Sequence, residues 1–170
     1  MYCPTCNHLN VPGAEACEKC QADLTALDRP TPQDKVEASL MSEPVAALGP
    51  KPPVTIRDDA TIADAMETMI DRAVGALLVV TEAKRLVGIL TERDFLTKVA
   101  GQAGFEARPV REFMTPDPET VSPLDPLAFA LQRMDTGGYR HLPVVGANDR
   151  PVGVISVRDV LKHITRLCKE

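Results

Sequence analysis

Four of the chain's five cysteines fall within its first twenty residues, as Cys3-Pro-Thr-Cys6 and Cys17-Glu-Lys-Cys20, with ten residues between the pairs. Two residues between paired cysteines let a tight turn point both thiolates at one ion, and two such turns complete a tetrahedral sulfur site of the kind zinc prefers in closed structural positions. Four protein ligands leave no position for water, so the expected metal role is structural. Leu9, Val11 and Leu24 are nearly the only large aliphatics here, so metal binding must supply most of the segment's folding energy. Redox-active dithiols are the competing reading, disfavoured by two matched pairs in a chain expected to be cytoplasmic. A four-thiolate iron centre is disfavoured because Tyr2 is the only aromatic available to pack around it. His8 lies between the pairs, but a completed four-sulfur site does not need it.

A second chemistry-bearing pattern occurs twice. Gly88-Ile-Leu-Thr-Glu-Arg-Asp94 returns as Gly153-Val-Ile-Ser-Val-Arg-Asp159, an offset of 65 residues. In each copy the glycine removes a side chain where a ligand or another backbone can approach closely, and Ile89 or Val154 offers an apolar edge to a base. Thr91 and Ser156 stand where helices start, so a hydroxyl and free N–H groups can receive phosphate or ribose oxygens. Asp94 and Asp159, three residues on, are placed to accept both hydrogens of a ribose diol. The competing reading is a plain helix cap, in which the same residue types satisfy the helix's own amides. Repetition of the whole pattern favours nucleotide contact.

The copies differ in charge. Arg140-His141 corresponds to Gly75-Ala76, so only the second copy brings bases beside its second strand. An anionic phosphate should prefer the cleft that Arg140 and His141 reach, with Arg93 and Arg158 as helpers or as solvated surface groups. His141 should make affinity sensitive to pH near neutrality. No catalytic set is visible: there is no phosphate-binding glycine loop with lysine, and His8, His141 and His163 stand in unrelated settings. Cys168 is a lone thiol without a nameable activator.

These residues must be positioned by a repeated unit. The same offset relates Thr55 to Thr120, Met69 to Met134, and Val79-Val80 to Val144-Val145 without a gap, the mark of a tandem duplication. The first copy reads as an extended piece at Thr55-Ile56, then a helix over 61–72 with Ile62, Ala65, Met66, Met69 and Ile70 on one core face. Apolar runs over 76–80 and 86–90 follow as a hairpin, and Thr91 opens a second helix carrying Phe95, Leu96 and Val99. In the second copy Asp125 is the expected cap, Pro126 the first helical residue and Gly137-Gly138 the stop. Its hairpin spans 141–145 and 151–155, and Ser156 caps the last helix. The fold class is therefore α/β (α+β), a β-α-β-β-α unit used twice. Pro30, Pro32, Pro44, Pro50, Pro52 and Pro53 mark a linker ahead of it, with a turn or two of helix over 33–41.

At 170 residues, 44% hydrophobic and 25% charged, the chain suits one substantial core plus an appendage and is too short for a large multidomain enzyme. A net charge of −5 argues against coating nucleic acid or an anionic membrane, and six Tyr and Phe with no Trp leave little surface for stacking bases. No apolar run approaches a membrane span and no secretory succession opens the sequence, so a cytoplasmic protein is expected.

Met114-Thr-Pro116 ahead of Thr120-Val121, the run from Arg140 to Val145, and the doubled glycine pattern resemble a tandem pair of cystathionine-β-synthase (CBS) domains forming one Bateman module, over residues 40–168. The cysteine segment resembles a short zinc ribbon, a class that often binds nucleic acid or protein; here Glu15, Glu18, Asp23 and Asp28 outnumber Lys19, which weakens the nucleic-acid role. The CBS resemblance implies a pseudo-twofold module with packed sheets and two clefts for an adenosine ligand such as AMP, ADP, ATP or S-adenosylmethionine. It also implies a homodimer through the repeats and a regulatory role without catalysis. By alignment Thr55, Ile56, Ala76, Ile89, Thr91 and Asp94 form the first pocket. Thr120, Val121, Tyr139, Arg140, His141, Val154, Ser156 and Asp159 form the second, with Arg158 beside them. The first is expected to be vestigial or suited to a less charged adenosyl group, and its lead, Gly49-Pro-Lys-Pro, departs from Met-Thr-Pro. The expected organisation is a zinc ribbon over 1–27, a linker over 28–44, and repeats over 45–104 and 105–170. The expected function is adenine-nucleotide sensing that signals to a protein partner through the ribbon. The alternatives are a ligand-independent dimeric scaffold and a nucleic-acid regulator acting through the ribbon.

Overall fold

The computed structural model describes residues 1–11, 13–25 and 32–169. The expected boundary at 27/28, with Asp28 and Pro30, lies outside the described residues. The chain divides into two compact units, Met1–Asp34 and Lys35–Glu170.

The small unit is itself a duplicated turn, with an offset of 14 residues. Antiparallel bridges join Tyr2 to Leu9 and Ala16 to Asp23. Cys3 N–H donates to the His8 carbonyl as Cys17 N–H does to that of Ala22, each at 2.9 Å. Asn7 and Gln21, one residue past each second cysteine, take the same left-handed conformation at φ 54° and 59°. Cys3, Cys17 and Leu24 form the buried centre. Two of those three side chains carry thiols, so apolar burial alone is a weak source of stability.

The large unit contains α1 (Lys35–Ser42), β1 (Thr55–Arg57), α2 (Ile62–Arg72), β2 (Ala76–Val80), β3 (Leu86–Thr91) and α3 (Glu92–Asp94), which runs on as a π-helical turn, Phe95–Val99. It continues with β4 (Thr115–Pro116), α4 (Leu127–Gly137), β5 (His141–Val145), β6 (Pro151–Ser156) and α5 (Val157–Lys169). One sheet has the order β1-β2-β3-β4 and the other pairs β5 with β6. The duplication is kept to the residue: Val79 faces Gly88 as Val144 faces Gly153, and a bulge follows each pair.

Local chemistry explains the element ends. Thr61 and Asp64 cap α2 reciprocally in a capping box, and Gly138 ends α4 at φ 63°. The start of α4 departs from expectation: Pro126 is the cap residue and Leu127 the first helical one. The Asp125 carboxylate instead accepts the Ser122 N–H at 2.7 Å, closing the preceding turn. The expected strand at Thr120-Val121 is reduced to one parallel bridge, Val121 to Val144. Met66 and Ile70 also depart. Ile62, Ala65 and Met69 are buried, but Met66 is 38% and Ile70 75% exposed, because the apolar stripe of α2 is wider than the core it meets.

The repeats are interleaved. Each is preceded by a lead segment that packs on the other repeat. The lead of the second repeat supplies Val110 and Phe113 to the core of Ile56, Ile62, Leu77 and Leu90. The lead of the first supplies Val45 to the core of Leu127, Leu142 and Ile155. The boundaries expected at 45 and 105 follow chain order, whereas these cores are assembled across them. Strand β4 pairs with β3, and Lys51 bridges Val154 of β6, so Gly49-Pro-Lys-Pro makes the same crossing as Met-Thr-Pro. Part of the expected linker is α1, which packs on α4 and α5. There the Ser39 hydroxyl meets His163 Nε2 at 2.7 Å, both residues being buried.

Candidate functional site

The sulfurs of Cys3, Cys6, Cys17 and Cys20 all lie within 4.8 Å of one another. Asn10 sits against this cluster, its amide nitrogen 3.6 Å from Cys17 Sγ and its oxygen accepting Glu18 N–H at 3.0 Å. Burial opposes ionisation of Cys17, but the N–H groups of Cys20 and Lys19, the Cys6 thiol and the Asn10 amide outweigh it and bring its thiol down to about 6. The Ala22 N–H favours the Cys20 thiolate, yet the neighbouring sulfurs and burial push that thiol up to about 12. Four sulfurs gathered this closely suit a cation of high charge and thiolate affinity at their centre. The donor set therefore fits a metal ion. Side chains of His8 and Cys168 take no part in this cluster.

Within the large unit, a cleft of about 1300 Å³ lies between the repeats. The second repeat contributes Arg140 just ahead of β5 and His141 at its start, Val154 and Ser156 from β6, and Arg158, Asp159 and Lys162 from α5. The first contributes Gly75, Ala76 and Glu92, with Met66, Ile70, Phe95 and Leu96 as an apolar wall, and its crossing lead adds Lys51 and Pro52. Four side-chain cations and two carboxylates thus line this cleft, in a chain whose net charge is −5.

Of the residues expected to bind ligand, Ala76, Arg140, His141, Val154, Ser156, Arg158 and Asp159 come together here. Thr55, Ile56, Ile89, Thr91, Asp94, Thr120, Val121 and Tyr139 do not line the cleft. Ile56 and Val121 point into the two cores, and Ile89 is buried with Ala76 and Leu78. The Tyr139 ring occupies the space that a side chain at Gly137 would need. Ala76, aligned with the first pocket, faces the second, because the cleft crosses the repeat boundary. Lys51, Glu92, Lys162 and the wall of Met66, Ile70 and Leu96 escaped sequence reasoning. The apolar pattern of α2 exceeding its core was the one available signal for that wall.

Asp159 Oδ2 accepts the Ser156 N–H at 2.9 Å and its hydroxyl at 2.6 Å, so the cap holds the carboxylate in place. Capping and ligand contact are compatible, since the cap takes Oδ2 and no hydrogen bond among the described residues takes Oδ1 of this cleft-lining residue. His141 is half-buried. Burial, aided by Arg158 and Arg140 and opposed by Glu92 and Asp159, lowers its pKa and keeps the ring neutral at neutral pH. The glycines have a specific role: a methyl group on Gly153 would lie 2.7 Å from Pro50 Cβ, and one on Gly88 would collide with Met114. Both are made necessary by the crossing leads, which are the close neighbours that the sequence left unspecified.

An interleaved pair of β-α-β-β-α units around a cleft defines a CBS-pair architecture. The CBS domain profile matches residues 38–101 and 110–166, and the chain belongs to that family. An uncharacterized 17.7 kDa protein of Acidianus ambivalens is 32% identical over 124 residues, which are 73% of this chain and 74% of that one. The chain spans only 19% of the CBS domain-containing protein CBSCBSPB5 of Arabidopsis thaliana, to which it is 40% identical over 110 residues. The CBS domain pair of protein MJ0100, solved with 5′-methylthioadenosine and S-adenosyl-L-methionine, superposes with a TM-score of 0.66 at 25% identity, covering 72% of this chain and 96% of that one. The protein PAE2072 of Pyrobaculum aerophilum, solved with AMP, gives 0.64 at 29% identity, covering 72% and 98%. No helix among the described residues is long and apolar enough to cross a membrane.

Proposed function

We propose that this chain is a cytoplasmic, non-catalytic sensor whose CBS pair binds an adenine nucleotide in the cleft of Asp159. The observation that carries the reading is a fixed carboxylate and an apolar wall lining one cleft with four cations. The Asp159 carboxylate accepts a ribose diol, the wall of Met66, Ile70 and Leu96 covers a base, and Arg140, Arg158 and Lys51 attract phosphate. S-adenosylmethionine carries a sulfonium and an ammonium, so the surplus of cations favours AMP, ADP or ATP over it. Structures of relatives with adenosine compounds support the ligand class.

The regulatory output rests on interleaving. A ligand that binds one arrangement of the repeats better than another shifts their packing, and a protein partner reads the shift through the ribbon. The ribbon binds zinc through Cys3, Cys6, Cys17 and Cys20. The chain pairs with a second copy through the repeats, where the exposed Leu161 of α5, outside the cleft, is available to the contact. Calorimetric titration with AMP, ADP, ATP and S-adenosylmethionine tests the reading. Binding of the phosphorylated ligands should be lost in Asp159→Ala and weakened at least tenfold in Arg140→Ala. Folded protein that gives no heat with any of the four ligands is instead a ligand-independent scaffold.

A further inference from the structure

The two aspartates that the duplication places at equivalent positions have opposite fates. Asp94 is 6% exposed and both its oxygens are engaged. Its Oδ2 accepts the Thr91 N–H at 2.8 Å and hydroxyl at 2.7 Å, while its Oδ1 lies 2.7 Å from Lys98 Nζ and 3.4 Å from the Thr115 hydroxyl. The Lys98 ammonium has three hydrogens and three partners, its other two being the Met114 carbonyl at 3.3 Å and the Thr115 hydroxyl at 3.1 Å. Burial opposes the Asp94 charge, but Lys98 and Thr91 outweigh it and hold the carboxyl below its ordinary range.

The cap is repeated at Asp159, but the lysine clamp is not. The position equivalent to Lys98 is His163, which turns to Ser39 on α1 at 2.7 Å. The position equivalent to Thr115 is Pro50, which has no hydroxyl to offer. Asp159 therefore keeps the Ser156 cap on Oδ2 while its Oδ1 accepts no hydrogen bond among the described residues. The carboxylate is half-buried and lines the cleft. A ribose arriving at Asp94 would have to displace an ammonium that is already fully partnered, which costs more than the two hydroxyl contacts return.

We infer that Lys98, clamped between Asp94 and Thr115, is a built-in occupant of the first repeat's ribose position, so that each chain binds one adenine nucleotide, in the Asp159 cleft alone. This rests on the nucleotide-sensing reading and decides between one working cleft and two. Lys98 and Thr115 thereby act as specificity residues: they silence one half of a duplicated site without changing its aspartate.

The test is calorimetry of the full chain, zinc-loaded, with AMP as the probe, on the wild type, Asp159→Ala and Asp159→Asn. The asparagine variant keeps an oxygen to cap Ser156 while losing the charge, and thermal unfolding verifies that each variant is folded. The expected result is one AMP per chain in the wild type and at least a tenfold loss of affinity in both variants. Two AMP per chain, or one AMP per chain that persists in Asp159→Asn, would overturn the single-cleft inference and leave the sensor reading standing. A wild type that binds no AMP would overturn both.

Discussion

The Ser39 hydroxyl lies 2.7 Å from Nε2 of His163, joining residues 124 positions apart and tying α1 to α5. His163 Nδ1 is also 3.2 Å from Arg166, so the ring is held on both sides. A segment that reads as linker is thus anchored into the second repeat, on the helix whose first turn carries Asp159. Ser39→Ala removes the 2.7 Å partner of a buried imidazole nitrogen, the Glu43 carboxylate lying farther off at 3.7 Å. We expect a loss of about 1–3 kcal/mol in urea unfolding, seen as a lower midpoint at unchanged slope. An unaltered midpoint would show that this hydrogen bond adds nothing to the stability of the unit.

The crossing leads make a second expectation. Gly153→Ala forces a methyl group against Pro50, a rigid ring with a backbone carbonyl beside it, whereas Gly88→Ala meets the side chain of Met114. A flexible thioether yields more readily than a proline. Thermal unfolding should therefore show the larger loss for Gly153→Ala, about 1–3 kcal/mol, with the smaller loss for Gly88→Ala. The reverse order would mean that Pro50 is free to move away from β6.

Much of this organisation was legible because a duplication exposes itself twice. The offset between Gly88 and Gly153 located both hairpins, both caps and the aspartates, and the spacing of Cys3, Cys6, Cys17 and Cys20 located the sulfur cluster. What stayed hidden depends on contacts between residues far apart in sequence. Offset comparison pairs equivalent residues, so it grouped Ala76 with Thr91 and Asp94, whereas the cleft collects Ala76 with Asp159 across the repeat boundary. Nothing in the sequence marks Lys98, since its partner Thr115 belongs to a lead whose crossing no periodicity reveals. Met66 and Ile70 looked like core because helical spacing identifies an apolar face without saying what covers it.

A third expectation concerns the metal. With Cys3, Cys17 and Leu24 the buried apolar residues of the small unit among those described, removing a bound ion from the four thiolates should remove its main source of order. Chelation of the zinc-loaded protein should release one zinc per chain and abolish amide protection over residues 1–25. Retained protection after the metal has gone would show that the apolar centre suffices by itself.

His141 gives the pH dependence its sign. In the free cleft, burial holds its pKa below the ordinary value near 6.5, so the ring is neutral at pH 7. A phosphate dianion beside it favours the charged ring, so binding takes up a proton and affinity must fall as pH rises. Titrations from pH 6.5 to 8.5, above the phosphate's own second ionisation near 6, should show AMP binding weaken with pH. His141→Gln should flatten that dependence. Affinity that rises with pH would remove the phosphate from the neighbourhood of His141.

The most direct measurement is a crystal structure of the full chain grown with AMP. It should show one nucleotide per chain, with its ribose hydroxyls on the Asp159 carboxylate, its base against Met66, Ile70 and Leu96, and its phosphate toward Arg140. Lys98 should remain on Asp94 and Thr115. Nucleotide density at Asp94, or an empty Asp159 cleft at saturating AMP, would contradict the account.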